Sequence, residues 1–210
     1  MNKIEISKSD FLQVFGALRH TLDAKQKPQL NHFSVIVDAQ ETRVIATDGH
    51  MLASYRFPFS RTDPPFAFTI PIATIETAIT LAKTSTDPLV TIEVREEEKS
   101  TRPARINVGA YPIEFLPNVS RVIRWEEVAP KTVEPISRVG FAMPLLKKFV
   151  KIVSTFDPRL NMRLEFAGGS LDPIVAKGSE DTRLEFLLMP CRVNGLSERD
   201  ETPHKFKKAA

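Results

Sequence analysis

Glycine and cysteine are scarce in this chain, and each scarcity excludes something. Eight glycines stand in 210 residues. None falls in a GxGxxG or GxxxxGKS/T pattern, so no glycine-rich loop is available to cradle a nucleotide phosphate. Cys191 is the single cysteine, which excludes a disulfide framework or a cysteine-rich zinc site within one chain. His20, His32, His50 and His204 are scattered and complete no metal-ligand motif. No apolar run approaches the length needed to cross a bilayer. The opening stretch, MNKIEISKSD, is polar from its first residues, so no secretory leader is expected. These absences predict a soluble, cytoplasmic protein with no cofactor and no metal.

What is present fits a globular protein. The hydrophobic fraction is 42%, the charged fraction 26% and the formal net charge +3. The length allows one large domain or two small ones with a substantial core. The mild basicity permits contact with nucleic acid without requiring it, so the placement of the basic residues matters more than their sum.

The chain repeats a pattern. SKSDFLQVFGALRHTLD reads as a helix that Ser9 or Asp10 can cap, with Phe11, Val14, Phe15, Leu18 and Leu22 at helical spacing. HFSVIVDAQ then alternates Phe33, Val35 and Val37 against His32, Ser34 and Ile36. Two further strands follow in TRVIATDG and HMLASYRF, with turns at 38–41 and 48–49. After the break RTDPPF the pattern restarts. FAFTIP reads as a strand and IATIETAITLAKT as a helix. DPLVTIEVRE, ARINVGA and YPIEFL read as three more strands, and REEEKSTR as a solvated hairpin tip. A third unit comprises SRVGFAM as a strand, PLLKKFVKIVSTF as a helix with Pro144 in its first turn, and strands in NMRLEFAGG, LDPIVAKG and TRLEFLLMPCRV. The reading is an α+β fold of strand–helix–three-strand units, sheets outside and helices on one face. Residues 1–124 make a complete domain of two units, 125–193 a half-domain of one unit, and 194–210 a basic, flexible tail.

Four places invite a functional reading. In ATDGHMLASY (46–55), Asp48 and His50 could be an acid–base pair. No nucleophile elbow and no second histidine motif accompanies them, and a turn in which Thr47 and His50 bond the local backbone is the plainer reading. EFLLMPCRV (185–193) reads as a last core strand broken by Pro190, or as the apolar wall of a peptide groove beside Arg192. The basic residues on or near the helices, Arg19, Lys25, Lys27, Lys83, Lys147, Lys148 and Lys151, make either solvated faces or a surface that tracks phosphates. Trp125, in VIRWEEV, is expected to pack the joint between the second and third units rather than stack on a base.

These stretches together resemble the bacterial DNA polymerase III beta subunit, the sliding clamp. LNHFSVIVDAQETRVIATDGHMLASY resembles part of that family's middle domain. LPNVSRVI resembles the segment closing that domain, and LLMPCRV the family's C-terminal ending. The resemblance runs in order from about residue 9 to 193. It implies a hydrophobic pocket for short peptides built from Leu30, Thr47, Gly49, His50, Met51, Leu52, Pro117, Arg121 and Val122. The other wall would be Leu187, Leu188, Met189, Pro190, Cys191, Arg192 and Val193, with Leu171 and Pro173 nearby. Asp48 and His50 would then shape the rim of that pocket. The resemblance further implies double-stranded DNA as a partner, encircled by a ring or contacted without sequence preference with helices facing it, and docking of a DNA polymerase, a clamp loader or other replication or repair proteins carrying a clamp-binding motif. Met51 stands where the family usually has Arg, and Cys191 where Met is common. The resemblance covers a middle domain and half of a last one, so self-association into a homo-oligomer is expected. An alternative is a binding module that captures such motifs without forming a ring.

Overall fold

The computed structural model describes residues 2–22, 30–57, 65–94, 103–118, 121–130, 140–156, 162–166, 172–178 and 183–191. The chain begins with β1 (Asn2–Ser7) and α1 (Lys8–Leu18), then a meander of β2 (His32–Val37), β3 (Thr42–Thr47) and β4 (Met51–Phe57). The second unit is β5 (Phe66–Pro71), α2 (Ile72–Thr84), β6 (Leu89–Val94), β7 (Ala104–Val108) and β8 (Tyr111–Phe115). A short α3 (Trp125–Val128) precedes the third unit, which holds α4 (Met143–Phe156), β9 (Met162–Glu165), β10 (Ile174–Gly178) and β11 (Leu184–Leu188). The expected hairpin tip at 95–102 and the tail 194–210 lie outside the described residues.

The first helix starts earlier than its sequence suggests. Ser7 is both the last residue of β1 and the cap of α1, its Oγ accepting from the Asp10 amide at 3.1 Å. The cap was expected at Ser9 or Asp10. Because the helix follows the strand without a loop, capping falls to the strand's final residue. Asp10 then lies in the first turn, where its charge complements the helix dipole.

The first two units close by exchanging their leading strands. β1 leaves the first unit and pairs with β6, setting Ile4 opposite Ile92. β5 leaves the second and pairs with β2, setting Val35 opposite Phe68. Among the described residues this gives one sheet in the order β1-β6-β7-β8 and another beginning β5-β2-β3-β4. Each unit therefore receives an outer strand from the other.

The third unit joins this domain through β11, which pairs antiparallel with β4 and extends the second sheet through β10 to β9. On the helix side α4 packs against α1, and α1 against α2. Leu145, Phe149, Ile152, Val153 and Phe156 recur at helical spacing along α4. Phe149 meets Phe186 of β11 edge to face at 4.8 Å, and Phe156 stacks on Tyr55 of β4 at 5.4 Å. The expected leading strand of this unit, SRVGFAM, is not formed where it is described. Residues 137–139 lie outside the described set, Gly140 to Ala142 carry no strand pairing, and α4 already begins at Met143. In the first two units such a strand pairs with the other unit's sheet, β1 with β6 and β5 with β2.

The core lies between sheets and helices. Phe11, Phe15, Phe33, Phe57, Phe68 and Phe186 are its largest fully buried side chains. Phe15, at the centre of α1, touches Phe11 at 4.8 Å and Phe33 at 5.3 Å between ring centroids. Burying an aromatic side chain of this kind contributes about 1.5–3 kcal/mol. The helix α1, flanked by α2 and α4, is thus the element around which all three units pack.

Candidate peptide-binding site

The turn between β3 and β4 is built by its own polar side chains. Gly49 has φ of +83°, a conformation that suits glycine. Asp48 Oδ1 accepts from the amides of His50 and Met51, each at 2.9 Å. Thr47 Oγ1 accepts from the Gly49 amide at 3.0 Å and donates to the Met51 carbonyl at 2.8 Å. The remaining oxygen of Asp48, Oδ2, receives Lys148 Nζ of α4 at 2.6 Å. Burial pushes the Asp48 carboxyl up, but the Lys148 bond and the two amides outweigh it and hold its pKa below the ordinary value. Asp48 therefore folds the turn and fastens α4 to it, while His50 projects at the exposed tip. No group of three or more His, Cys, Asp or Glu side chains is placed to hold a metal among the described residues.

Beside this turn, β4 meets β11 with Leu52 opposite Leu187 and Met51 opposite Leu188. Strand alternation sends these two pairs to opposite faces. Met51 and Leu188, each 1% exposed, enter the core beneath the helices. Leu52 and Leu187 face the outer side, where they form a second apolar cluster with Ile45 of β3, Val175 of β10 and Trp125 of α3. Ile36, Ile123 and Ala129 pack around it. The predicted pocket residues are thus divided between a closed core and an outer face.

Asn118, Arg121 and Ile123, which precede Trp125, are each tied to β5 or β2. The Asn118 amide donates to Thr69 Oγ1 at 3.1 Å, and the Ile123 amide to Ser34 Oγ at 2.9 Å. His32 Nε2 lies 3.1 Å from the Arg121 carbonyl, which accepts its proton. Burial is the largest influence on His32 and lowers its pKa, consistent with a neutral ring in that bond. Pro117 and Val122 flank these ties and are half-buried, whereas Arg121 is exposed. Arg43 of β3 holds its guanidinium 5.6 Å from the centre of the Trp125 ring. It also bonds Glu41 at 3.2 Å and Glu185 at 3.1 Å, so it is fixed from both sides. Trp125 packs a joint, but between the first and third units rather than the second and third as the sequence suggested, because β11 pairs with β4. Ile45, Val175 and Arg43 were not anticipated in the site; a two-residue step back from Thr47 would have found Ile45.

The end of this strand pair stays open. The Met189 amide donates to the His50 carbonyl at 2.9 Å, and the Met189 side chain is 39% exposed. Pro190 and Cys191 are half-buried, and the Cys191 amide donates to the Gly140 carbonyl at 2.9 Å. Leu30 and Pro173 are half-buried too. Leu171, Arg192 and Val193 lie outside the described residues. Leu52, Leu187, Met189 and the ties of Asn118, Arg121 and Ile123 come from all three repeat units or their joints, brought together by the β4–β11 pairing.

The helix side carries the basic residues. Lys83 of α2 and Lys147 and Lys151 of α4 are exposed, and Arg19 at the end of α1 is half-buried. His20 has a lowered pKa, first from burial and then from the charges of Lys151 and Arg19, which gathers these three at the α1–α4 seam. Lys148, by contrast, is committed to Asp48. Lys25 and Lys27 lie outside the described residues.

Solved structures share this architecture. The chain superposes on the Caulobacter crescentus beta sliding clamp with a TM-score of 0.70 at 15% identity, covering 92% of this chain and 66% of that one. The beta subunit of Thermotoga maritima DNA polymerase III gives 0.70 at 12% identity, covering 91% and 65%. A protein from Eubacterium rectale described as a DNA polymerase III beta subunit gives 0.73 at 11% identity, covering 92% and 66%. The fold is that of the bacterial sliding clamps. This clamp-fold chain spans about two thirds of the length of those proteins. No protein-family model matches the sequence. No curated protein matches it. No described helix is long and apolar enough to cross a membrane.

Proposed function

We propose that this protein is a non-catalytic, cytoplasmic accessory factor. It contacts duplex DNA without sequence preference through its helix side. It tethers a replication or repair protein by a short peptide held at the outer end of β4 and β11. The observation that carries this reading is the β4–β11 pairing, which sets Leu52 and Leu187 beside exposed Met189 in a fold shared with the sliding clamps. An apolar floor with a few polar groups at its rim suits a peptide anchored by Leu or Phe. A DNA polymerase and a clamp loader are the partners such a motif would bring.

A labelled peptide with Leu and Phe anchors, followed by fluorescence polarisation, tests the site. Binding in the micromolar range is expected. Met189→Glu should abolish it, and because Met189 is exposed, its urea midpoint should stay at the wild-type value. Absence of binding to the wild type would remove the proposed site.

The DNA contact has its own signature. Phosphate binding through Arg19, Lys83, Lys147 and Lys151 predicts affinity that falls steeply with salt. Replacing Lys83, Lys147 and Lys151 together with Gln should lower the slope of log K against log salt by about 2–3, since each contact removed lowers it by about 0.9. An unchanged slope would place the DNA elsewhere or nowhere.

A second reading, a binding module that forms no ring, is favoured by the outer strand β8. Its open side holds Pro112, which lacks a backbone donor, and exposed Glu114, both features that discourage strand addition. Light scattering over a range of concentrations separates the two: a discrete, concentration-independent oligomer supports encirclement, and a monomer supports the module.

A further inference from the structure

The apolar outer face of the β4–β11 seam is already occupied by the chain itself. Trp125 lies over Leu52, Leu187, Val175 and Ile45 and is only 9% exposed. The element that carries it is weak on its own. α3 is four residues long, with backbone bonds at its ends from the Ala129 amide to the Trp125 carbonyl at 2.8 Å and from the Glu127 amide to the Arg124 carbonyl at 3.3 Å. A single helical turn of this kind is unstable in isolation, so its position depends on the Trp125 contact and on the ties of Ile123 and Arg121 to Ser34 and His32. On either side of Trp125, Arg124, Glu126 and Glu127 are exposed. A buried aromatic side chain is thus flanked by exposed charged residues, with Ile123 and Ala129 packed beside it, as the anchor of a bound peptide is.

We infer that the segment around Trp125 is a tethered occupant of the peptide site, and that an aromatic-anchored peptide from a partner binds by displacing it. The inference rests on the peptide-site reading given above. The chemistry of the pocket names the ligand class. Leu52, Leu187 and Val175 supply a flat apolar floor, and the Arg43 guanidinium faces the ring. A guanidinium held by Glu41 and Glu185 favours an aromatic anchor over an aliphatic one, because only the former offers a π face. A tethered occupant competes at an effective concentration in the millimolar range. It therefore weakens every external peptide by the same factor and reserves the site for strong motifs or for several weak ones presented together.

Trp125 is the only tryptophan, so its fluorescence reports its own position. The probe is a synthetic peptide copying residues 121–130 with phenylalanine in place of the tryptophan. Added to the wild-type protein, it should shift Trp125 emission to the red as the ring moves into water. It should bind Trp125→Ala about tenfold more tightly than the wild type, a conservative figure for removal of a millimolar competitor. Ser34→Ala, which removes one tie and leaves the apolar floor intact, should strengthen binding to a smaller degree and keeps the test open if Trp125→Ala does not fold. Equal affinity for wild type and Trp125→Ala, or binding with unchanged Trp125 emission, overturns the displacement and leaves the peptide site standing. Failure of the probe to bind a folded Trp125→Ala protein overturns the tethered-occupant inference. The Leu- and Phe-anchored peptide, titrated on the same variant, then decides separately whether the site exists.

Discussion

Replacing Leu52 with glutamate should unfold the protein, or at least break the seam between β4 and β11, whereas Met189→Glu should leave the fold intact. Leu52 is enclosed by Ile45, Leu187, Val175 and Trp125. The nearby cation that faces this cluster, Arg43, is already engaged by Glu41 and Glu185. The change removes a buried apolar side chain and introduces an unpaired charge. Together these cost at least about 4 kcal/mol. Total stability for a chain of this kind is about 5–15 kcal/mol, so most of it would be lost. Urea unfolding followed by far-ultraviolet circular dichroism reads the difference directly. A Leu52→Glu protein with the wild-type midpoint would mean that the outer face is open to water in solution. The burial of Trp125 would then fall with it.

The contrast between these two residues marks what the sequence can and cannot tell. Local period is strongly encoded. The alternation of Phe33, Val35 and Val37 with His32, Ser34 and Ile36 separates a helix-facing side from an outer side, and the structure keeps that division. The same alternation distinguishes Met51 from Leu52 and Leu188 from Leu187, so their split between two faces was legible in principle. A shared motif drew all four into one pocket; period two separates them. Non-local pairing is a different matter. Nothing in β1 or β5 reveals that each crosses to the other unit's sheet, because register across such distances is decided by which edge remains unpaired. The same holds for the third unit, where Gly140 to Ala142 carry no strand pairing although the sequence has strand character there.

The outer face also explains how an odd number of units can be stable. The third unit does not stand apart: β11 uses the free edge of β4, and α4 covers part of α1. The joint is then sealed from outside by Trp125 and beside it by the ion-pair group of Glu41, Arg43, Arg56 and Glu185. In that group two carboxylates face two guanidiniums, and removal of either carboxylate leaves excess positive charge in a partly closed place. Its contribution is more to register between β3, β4 and β11 than to net stability, since pairs of this kind gain little over their desolvation cost. The proposed peptide site, placed on such a joint, would weaken with anything that loosens the third unit.

Asp48→Ala is expected to destabilise the protein by about 3 kcal/mol, and Asp48→Asn by about half as much. The alanine removes two acceptor bonds to the His50 and Met51 amides and the ion pair with Lys148. Asparagine retains an oxygen for the amides but turns its NH2 toward Lys148, so it loses both the charge and the acceptor of that bond, at a partner that is itself partly exposed and so partly screened. The pH dependence distinguishes the two contributions. The folded pKa of Asp48 lies below its ordinary value of 3.8. The ionised group therefore adds stability that is fully present above 3.8 and is lost as pH falls through the lower, folded value. The stability gap between wild type and Asp48→Asn should accordingly be constant near neutrality and shrink below about pH 4, as the wild-type carboxyl takes up its proton. Urea midpoints measured at a series of pH values would show it. A gap that stays constant into acid would mean that the Lys148 charge does not act on Asp48, and that α4 is held to the β3–β4 turn by its apolar face alone.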